Sequence, residues 1–127
     1  MGGLALSVDI VEDDDAVRDS MRALLESYGY SVREYPSGAD YLHRDDAAAS
    51  DVLIVDYHMP DMTGLELLED MRVRRDYTPA LILTGHNEPL LERRLIRAGV
   101  VKLLHKPIHD DELVAAIEEA THNAVRH

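Results

Sequence analysis

The sequence predicts a doubly wound α/β domain, a parallel sheet covered by helices on both faces, and three observations carry that expectation. Five short runs rich in Val, Ile and Leu alternate with five segments whose apolar residues recur at helical spacing. The central run, Val52-Leu53-Ile54-Val55, contains no polar residue, which is how a strand buried on both faces reads. The runs ending at Val11, Val55, Leu83 and Leu104 are each followed by polar or charged residues. In open α/β sheets ligands bind beyond the carboxyl ends of the strands, so those residues are site candidates.

The elements follow in order. Residues 6–11 form the first strand, which stops at Glu12-Asp13-Asp14-Asp15. Acids at a helix start cap free N–H groups and favour the helix dipole, and that accounts for Asp14 and Asp15 better than for Glu12 and Asp13. Val17, Met21, Leu24, Leu25 and Tyr28 mark the first helix, with Gly29 as its stop. Residues 31–35 form a second strand, and Ala39, Tyr41 and Leu42 mark a weak second helix. Residues 44–50 read as a solvated helix end and loop without chemistry. The central strand ends on Asp56, either a cap for the following turn or part of a site. Pro60 ends the regular structure, Gly64 permits a turn, and Leu65, Leu67, Leu68 and Met71 begin an amphipathic helix.

Residues 80–83 form the fourth strand, ending at Thr84-Gly85-His86, and residues 87–98 the fourth helix, closed by Gly99. The fifth strand, residues 100–104, leads into His105-Lys106-Pro107, where a cis bond would aim Lys106 above the sheet. Residues 110–120 form the last helix, with Leu113, Val114, Ile117 and Ala120 facing inward.

Composition bounds the function. The chain of 127 residues is expected to be one domain, residues 1–127 with a core over about 6–120 and no effector domain. Thirteen basic against 25 acidic residues leave a net charge of −12, which argues against direct nucleic-acid binding. With no Cys, disulfides, thiol chemistry and Cys–zinc sites are excluded. No stretch has the length of a membrane span and the first residues lack the basic start of a signal peptide, so the cytoplasm is the expected setting.

A parallel sheet brings Glu12, Asp13, Asp56, Thr84 and Lys106 to one edge. Carboxylates suit a hard divalent cation such as Mg²⁺, which takes one or two of them together with waters and phosphate oxygens. One carboxylate can also serve as nucleophile, with the cation, the ammonium and the hydroxyl neutralising a phosphoryl group in transfer.

These residues resemble a family. Ile10-Val11-Glu12-Asp13-Asp14, Asp56-Tyr57-His58-Met59-Pro60 with Gly64, Leu83-Thr84-Gly85 and Lys106-Pro107 look like the motifs of a receiver (response-regulator) domain of bacterial two-component signalling. The likeness runs over about residues 6–120, and its Thr-Gly-His wording is similar to the nitrogen-fixation regulator branch. It implies a flavodoxin-like (βα)5 three-layer sandwich with sheet order 2-1-3-4-5. It further implies that Asp56 accepts a phosphoryl group from a sensor histidine kinase or a phosphotransfer protein. Asp13, Asp56 and the His58 backbone carbonyl would ligate Mg²⁺, with Glu12 acting through water. Thr84 and Lys106 would meet phosphoryl oxygens. The chain would be a switch rather than an enzyme, with its kinase docking on the first helix and around Ile108. Its output, including homodimerisation, would lie on the fourth helix, fifth strand and final helix, a face that offers Arg93, Arg94, Arg97, Leu104 and the acidic residues of the final helix.

Two departures stand out. Receiver domains usually carry Phe or Tyr three residues before the lysine, and here that position is Leu103. The chain also stops after the last helix. His58, His86 and His105 fall near the site edge without the helical pairing of a transition-metal site. His58 and His86 stand two residues beyond Asp56 and Thr84, where family side chains tune dephosphorylation. A haloacid-dehalogenase-type phosphatase would want an acid at position 58, and a pseudo-receiver would not need Asp13, Asp56, Thr84 and Lys106 together.

Overall fold

In the computed structural model, which describes residues 5–45, 50–85 and 87–125, strand and helix alternate from β1 to α5. The elements are β1 (Ser7–Val11), α1 (Asp15–Ser27), β2 (Ser31–Tyr35), α2 (Gly38–Leu42), β3 (Val52–Asp56), α3 (Gly64–Val73), β4 (Ala80–Thr84), α4 (Pro89–Arg97), β5 (Lys102–His105) and α5 (Asp110–Val125). All strand pairs are parallel, in the order β2-β1-β3-β4-β5. This is the flavodoxin-like arrangement expected.

Strand periodicity divides the core. Val8, Ile10, Val52, Ile54, Leu81, Leu83 and Leu104 face one side, where Leu25 of α1 and Leu113, Ala116, Ile117 and Ala120 of α5 cover them. Val11, Leu53, Val55, Ala80 and Ile82 face the other, under α2, α3 and α4. β3 and β4 are buried along their whole length, as their uninterrupted apolar runs require. Burying each such side chain contributes about 1.5–3 kcal/mol, so these strands anchor whatever stands at their ends.

The structure moves several boundaries and side chains. β5 starts at Lys102, because the N–H groups of Gly99 and Val100 turn back to Ile96 and Leu95 and close α4 instead. Leu104 is 2% exposed in the core, so it lies outside any output surface. Arg94 and Arg97, both exposed, line a groove with Glu69 and Arg72 of α3. The stripe on α1 is wider than the core beneath it, and Val17, Met21 and Leu24 line a cavity of about 610 Å³ between α1 and the start of α5. Val114 is half-buried, and α5 runs on to Val125.

Arg44 corrects the expectation of a solvated end without chemistry. Its guanidinium lies 3.8 Å over the Tyr41 ring and donates to Asp76 Oδ2 at 2.9 Å. Asp76 also accepts from the Thr78 hydroxyl at 2.6 Å and the Thr78 amide at 3.1 Å. Nearby, the fully buried Asp9 of β1 pairs with Arg33 of β2 at 2.9 Å, and burial pushes its carboxyl above the ordinary range despite that partner.

For Asp76, burial opposes the charge, but the bonds from Thr78 and Arg44 outweigh it and hold the carboxyl below the usual range. A carboxyl lowered in the folded state stabilises above its unfolded value near 3.8 and loses that contribution as pH falls through the folded value. Asp76→Asn is therefore expected to lose roughly 1.5–3 kcal/mol at pH 7, the range for hydrogen bonds to a charged group. Urea unfolding of both proteins should show the gap narrowing once pH drops below about 4.

Candidate functional site

The carboxyl edge of the sheet gathers the candidate residues. Glu12 and Asp13 follow β1, Asp56 closes β3, Thr84 closes β4, and Lys106 follows β5. The registers place Asp56 opposite Leu83 and Thr84 opposite His105, so adjacent strands end together. The Lys106 amide donates to the Thr84 carbonyl at 2.8 Å, and Lys106 Nζ donates to Asp56 Oδ1 at 2.7 Å. The Lys106–Pro107 bond is cis.

Electrostatics at this edge are unbalanced. Glu12 is 3% exposed and Asp56 7%, while Asp13 is open to solvent. One ligand oxygen from each of these carboxylates can lie within 4.8 Å of the others. Burial is the main cause that lifts the Glu12 carboxyl above its usual range, and the charges of Asp56 and Asp13 add to it. The Asp14 amide and Lys106 work against that rise. Lys106 meets this cluster as its one ammonium among the described residues, so the site has room for further positive charge. An all-oxygen donor set with one accessible member fits a hard divalent cation, Mg²⁺ above softer metals.

Of the other candidates, Thr84 is fully buried at the end of β4. His58 is exposed, and its ring stands edge-on to Tyr57 at 4.8 Å. His86 lies outside the described residues. Leu103 is half-buried against the core on the α4 side, so an aliphatic side chain fills the position where the family carries an aromatic.

Some supporting residues escaped the sequence reading. Arg18, on the first turns of α1, donates to the Glu12 carbonyl at 2.7 Å and also pairs with Asp15, which ties the acidic loop to the helix. Asp14 caps that helix as its place at the helix start predicts, accepting from the Val17 amide at 3.1 Å, while the bond from the Asp14 amide to Glu12 Oε2 at 3.0 Å had no signal in the sequence. Downstream of Asp56, Thr63 and Glu66 form a capping box that starts α3. Its Thr-x-x-Glu spacing was a readable signal.

Comparison with known proteins places this geometry. Residues 8–118 match the family described as response regulator receiver domain, and the chain belongs to that family. It is thus a phosphorylation-dependent signalling domain of the two-component type. Among curated relatives, it is 34% identical over 113 residues to the transcriptional regulatory protein FixJ of Azorhizobium caulinodans, covering 89% of this chain and 54% of that regulator. It is 35% identical over 115 residues to FixJ of Bradyrhizobium diazoefficiens, covering 91% of this chain and 56% of that protein. The chain therefore spans about half the length of these relatives. A crystal structure titled FixJ-N superposes with a TM-score of 0.86 at 31% identity, covering 96% of each chain. A receiver domain from Clostridium thermocellum, at 23% identity and a TM-score of 0.87, shares the fold.

The Lys106 contact yields a stability test. Lys106 is 41% exposed, so solvent discounts its pair with Asp56. Lys106→Met is expected to cost about 1 kcal/mol in chelator-treated protein, because it leaves the carboxylates without their ammonium. Chemical denaturation of the two proteins at low salt checks it.

Proposed function

We propose that Asp56 is the phosphoacceptor of this receiver, and that Glu12, Asp13 and Asp56, with the His58 backbone carbonyl, hold Mg²⁺ beside it. The observation that carries this reading is the position of Asp56. It is a nearly buried carboxylate at the end of a fully buried strand, within reach of Lys106 Nζ at 2.7 Å and of two further acids.

In the transfer, an Asp56 carboxylate oxygen attacks the phosphorus of a phosphohistidine on a sensor kinase or phosphotransfer protein. A P–O bond forms, the P–N bond breaks, and the imidazole leaves with its electron pair. A bound Mg²⁺ supplies charge neutralisation for the phosphoryl oxygens. Lys106 shifts from the carboxylate to a phosphoryl oxygen, and the Thr84 hydroxyl donates to another. The modification adds roughly −1.5 to −2 charges, which draws both groups inward and moves the loop after β4.

The partner surfaces follow from packing. The cavity between α1 and α5, lined by Val17, Met21, Leu24 and Ile108 and bordered by Glu12 and Lys106, is where we place the kinase or phosphotransfer protein. An output face on α4–β5–α5, suited to homodimerisation, presents exposed Arg93, Arg94, Arg97, Ile96 and Lys102 and the acids of α5. With Leu103 in place of an aromatic, the loop after β4 carries the signal. The net charge of −12 supports a receiver that does not itself contact nucleic acid. Residues 1–127 form one receiver unit in this reading, in a cytoplasmic setting. Among the described residues no helix is long and apolar enough to cross a membrane.

Incubation with acetyl phosphate should give acid-labile phosphate on wild type only with Mg²⁺, and none on Asp56→Asn. Labelling that persists in Asp56→Asn would reject the assignment of the acceptor. Unlabelled wild type, with a kinase panel also failing, would mark a pseudo-receiver. His58→Ala is expected to change the phosphoryl lifetime severalfold, a small fraction of an acid–base contribution, with Mg²⁺ affinity nearly unchanged because only a backbone carbonyl is used. Decay of the labelled protein checks the first, and a Mg²⁺ titration the second.

A further inference from the structure

The loop between β3 and α3 carries His58, and its outer side is fastened to a different part of the fold. Its ends are set by backbone bonds: the Tyr57 amide donates to the Leu83 carbonyl at 2.8 Å, and the Gly64 amide to the Tyr57 carbonyl at 2.9 Å. Met59 is buried in the core on that side. Beyond Pro60, Asp61 Oδ2 accepts from the Ala39 amide at 3.0 Å, in the first turn of α2. The α2 cap, Ser37, serves the Asp40 amide instead, so Asp61 satisfies a first-turn donor that the helix's own cap leaves over. Next to it, Met62 lies against Gly38 so closely that a β-carbon at position 38 would stand 2.6 Å from the Met62 sulfur.

We propose that Asp61 is a positioning residue, which latches the β3–α3 loop to α2 and thereby holds the His58 carbonyl where a cation at the acidic cluster can use it. The inference rests on the reading of Glu12, Asp13 and Asp56 as the cation site. Asp61 acts through the loop and does not touch the reacting atoms. The contact also joins α2 to the site, so that any partner or modification that shifts α2 changes how well the loop presents its carbonyl. Gly38 is part of the device, because the absence of a side chain there lets Met62 close against α2.

The test is a Mg²⁺ titration of the unphosphorylated chain, followed by amide shifts, on wild type, Asp61→Ala, Asp61→Asn and Gly38→Ala. Asp61→Ala is expected to raise the Mg²⁺ dissociation constant roughly three- to tenfold, the factor equivalent to one hydrogen bond. Asp61→Asn keeps the acceptor oxygen without the charge and should bind within about twofold of wild type, a few tenths of a kcal/mol by the same conversion. Gly38→Ala, which displaces Met62 and removes no hydrogen-bonding group, should weaken binding in the direction of Asp61→Ala. Equal weakening in Ala and Asn variants would mean that only the charge of Asp61 matters and would overturn the latch. Unchanged binding in Asp61→Ala would overturn it as well. Wild type that fails to respond to Mg²⁺ would overturn the cation-site reading and the latch with it, an outcome distinct from the previous two.

Discussion

A nearly buried carboxylate held at the end of a fully buried strand is the constraint on which the rest of this molecule depends. A carboxylate so placed needs a partner, and Lys106 supplies one, arriving from the next strand but one at 2.7 Å. That meeting requires β3, β4 and β5 to be neighbours, parallel and in register, with the Lys106 amide fastened to the Thr84 carbonyl. It also requires β1 on the other side, since Glu12 and Asp13 come from there. β1, β3, β4 and β5 each contribute buried apolar residues to the core and polar residues, at the strand end or just beyond it, to the edge.

The carboxyl edge is built differently from the rest of the fold. At the carboxyl edge one half-exposed lysine faces three carboxylates, and the surrounding loops are pinned by single hydrogen bonds that Arg18 and the Asp14 amide donate and that Asp61 accepts. Away from that edge, charges are matched pair by pair: Asp9 with Arg33 in mid-sheet, and Asp76 with Arg44 and Thr78. A buried pair is expensive to break once formed, because removing one partner strands the other in a poorly solvated place. The fold thus concentrates unsatisfied charge at the edge where a cation and a phosphoryl group are proposed to bind, above a base that has little reason to rearrange.

The two faces also divide the work. α1 and α5 cover one side incompletely, so Val17, Met21 and Leu24 extend into an open groove beside Glu12 and Lys106. α3 and α4 close the other side over Leu65, Leu67, Leu68, Met71, Leu91 and Leu95. In the proposed function the apolar surface of α1, which shares a groove with Glu12 and Lys106, serves docking.

Much of this was legible along the chain. The unbroken run before Asp56, the acids after Val11, Thr84 after Leu83 and Lys106 before Pro107 are local patterns, and local patterns are what a sequence displays directly. The common direction of parallel strands then put these residues at one edge, because alternating strands and helices admit few topologies. Boundaries were less legible: whether Val100 continues a strand or finishes α4 depends on which acceptor its amide finds. Arg44 and Asp9 were opaque for a related reason. A charged residue in a helix end or a strand carries no sign of a partner 32 or 24 positions away, and only packing supplied Asp76 and Arg33. The direction of a side chain around α4 was equally beyond the chain itself, since Arg94 and Arg97 turn toward α3 only because Leu91 and Leu95 are drawn into the core. The sequence by itself determined the fold class and the chemical groups at the sheet edge, through hydrophobic periodicity and the polar residues that end each run. The tertiary structure decided which charges are paired, which apolar residues stay open and what holds each loop, because those depend on distances between segments that the order of residues does not contain.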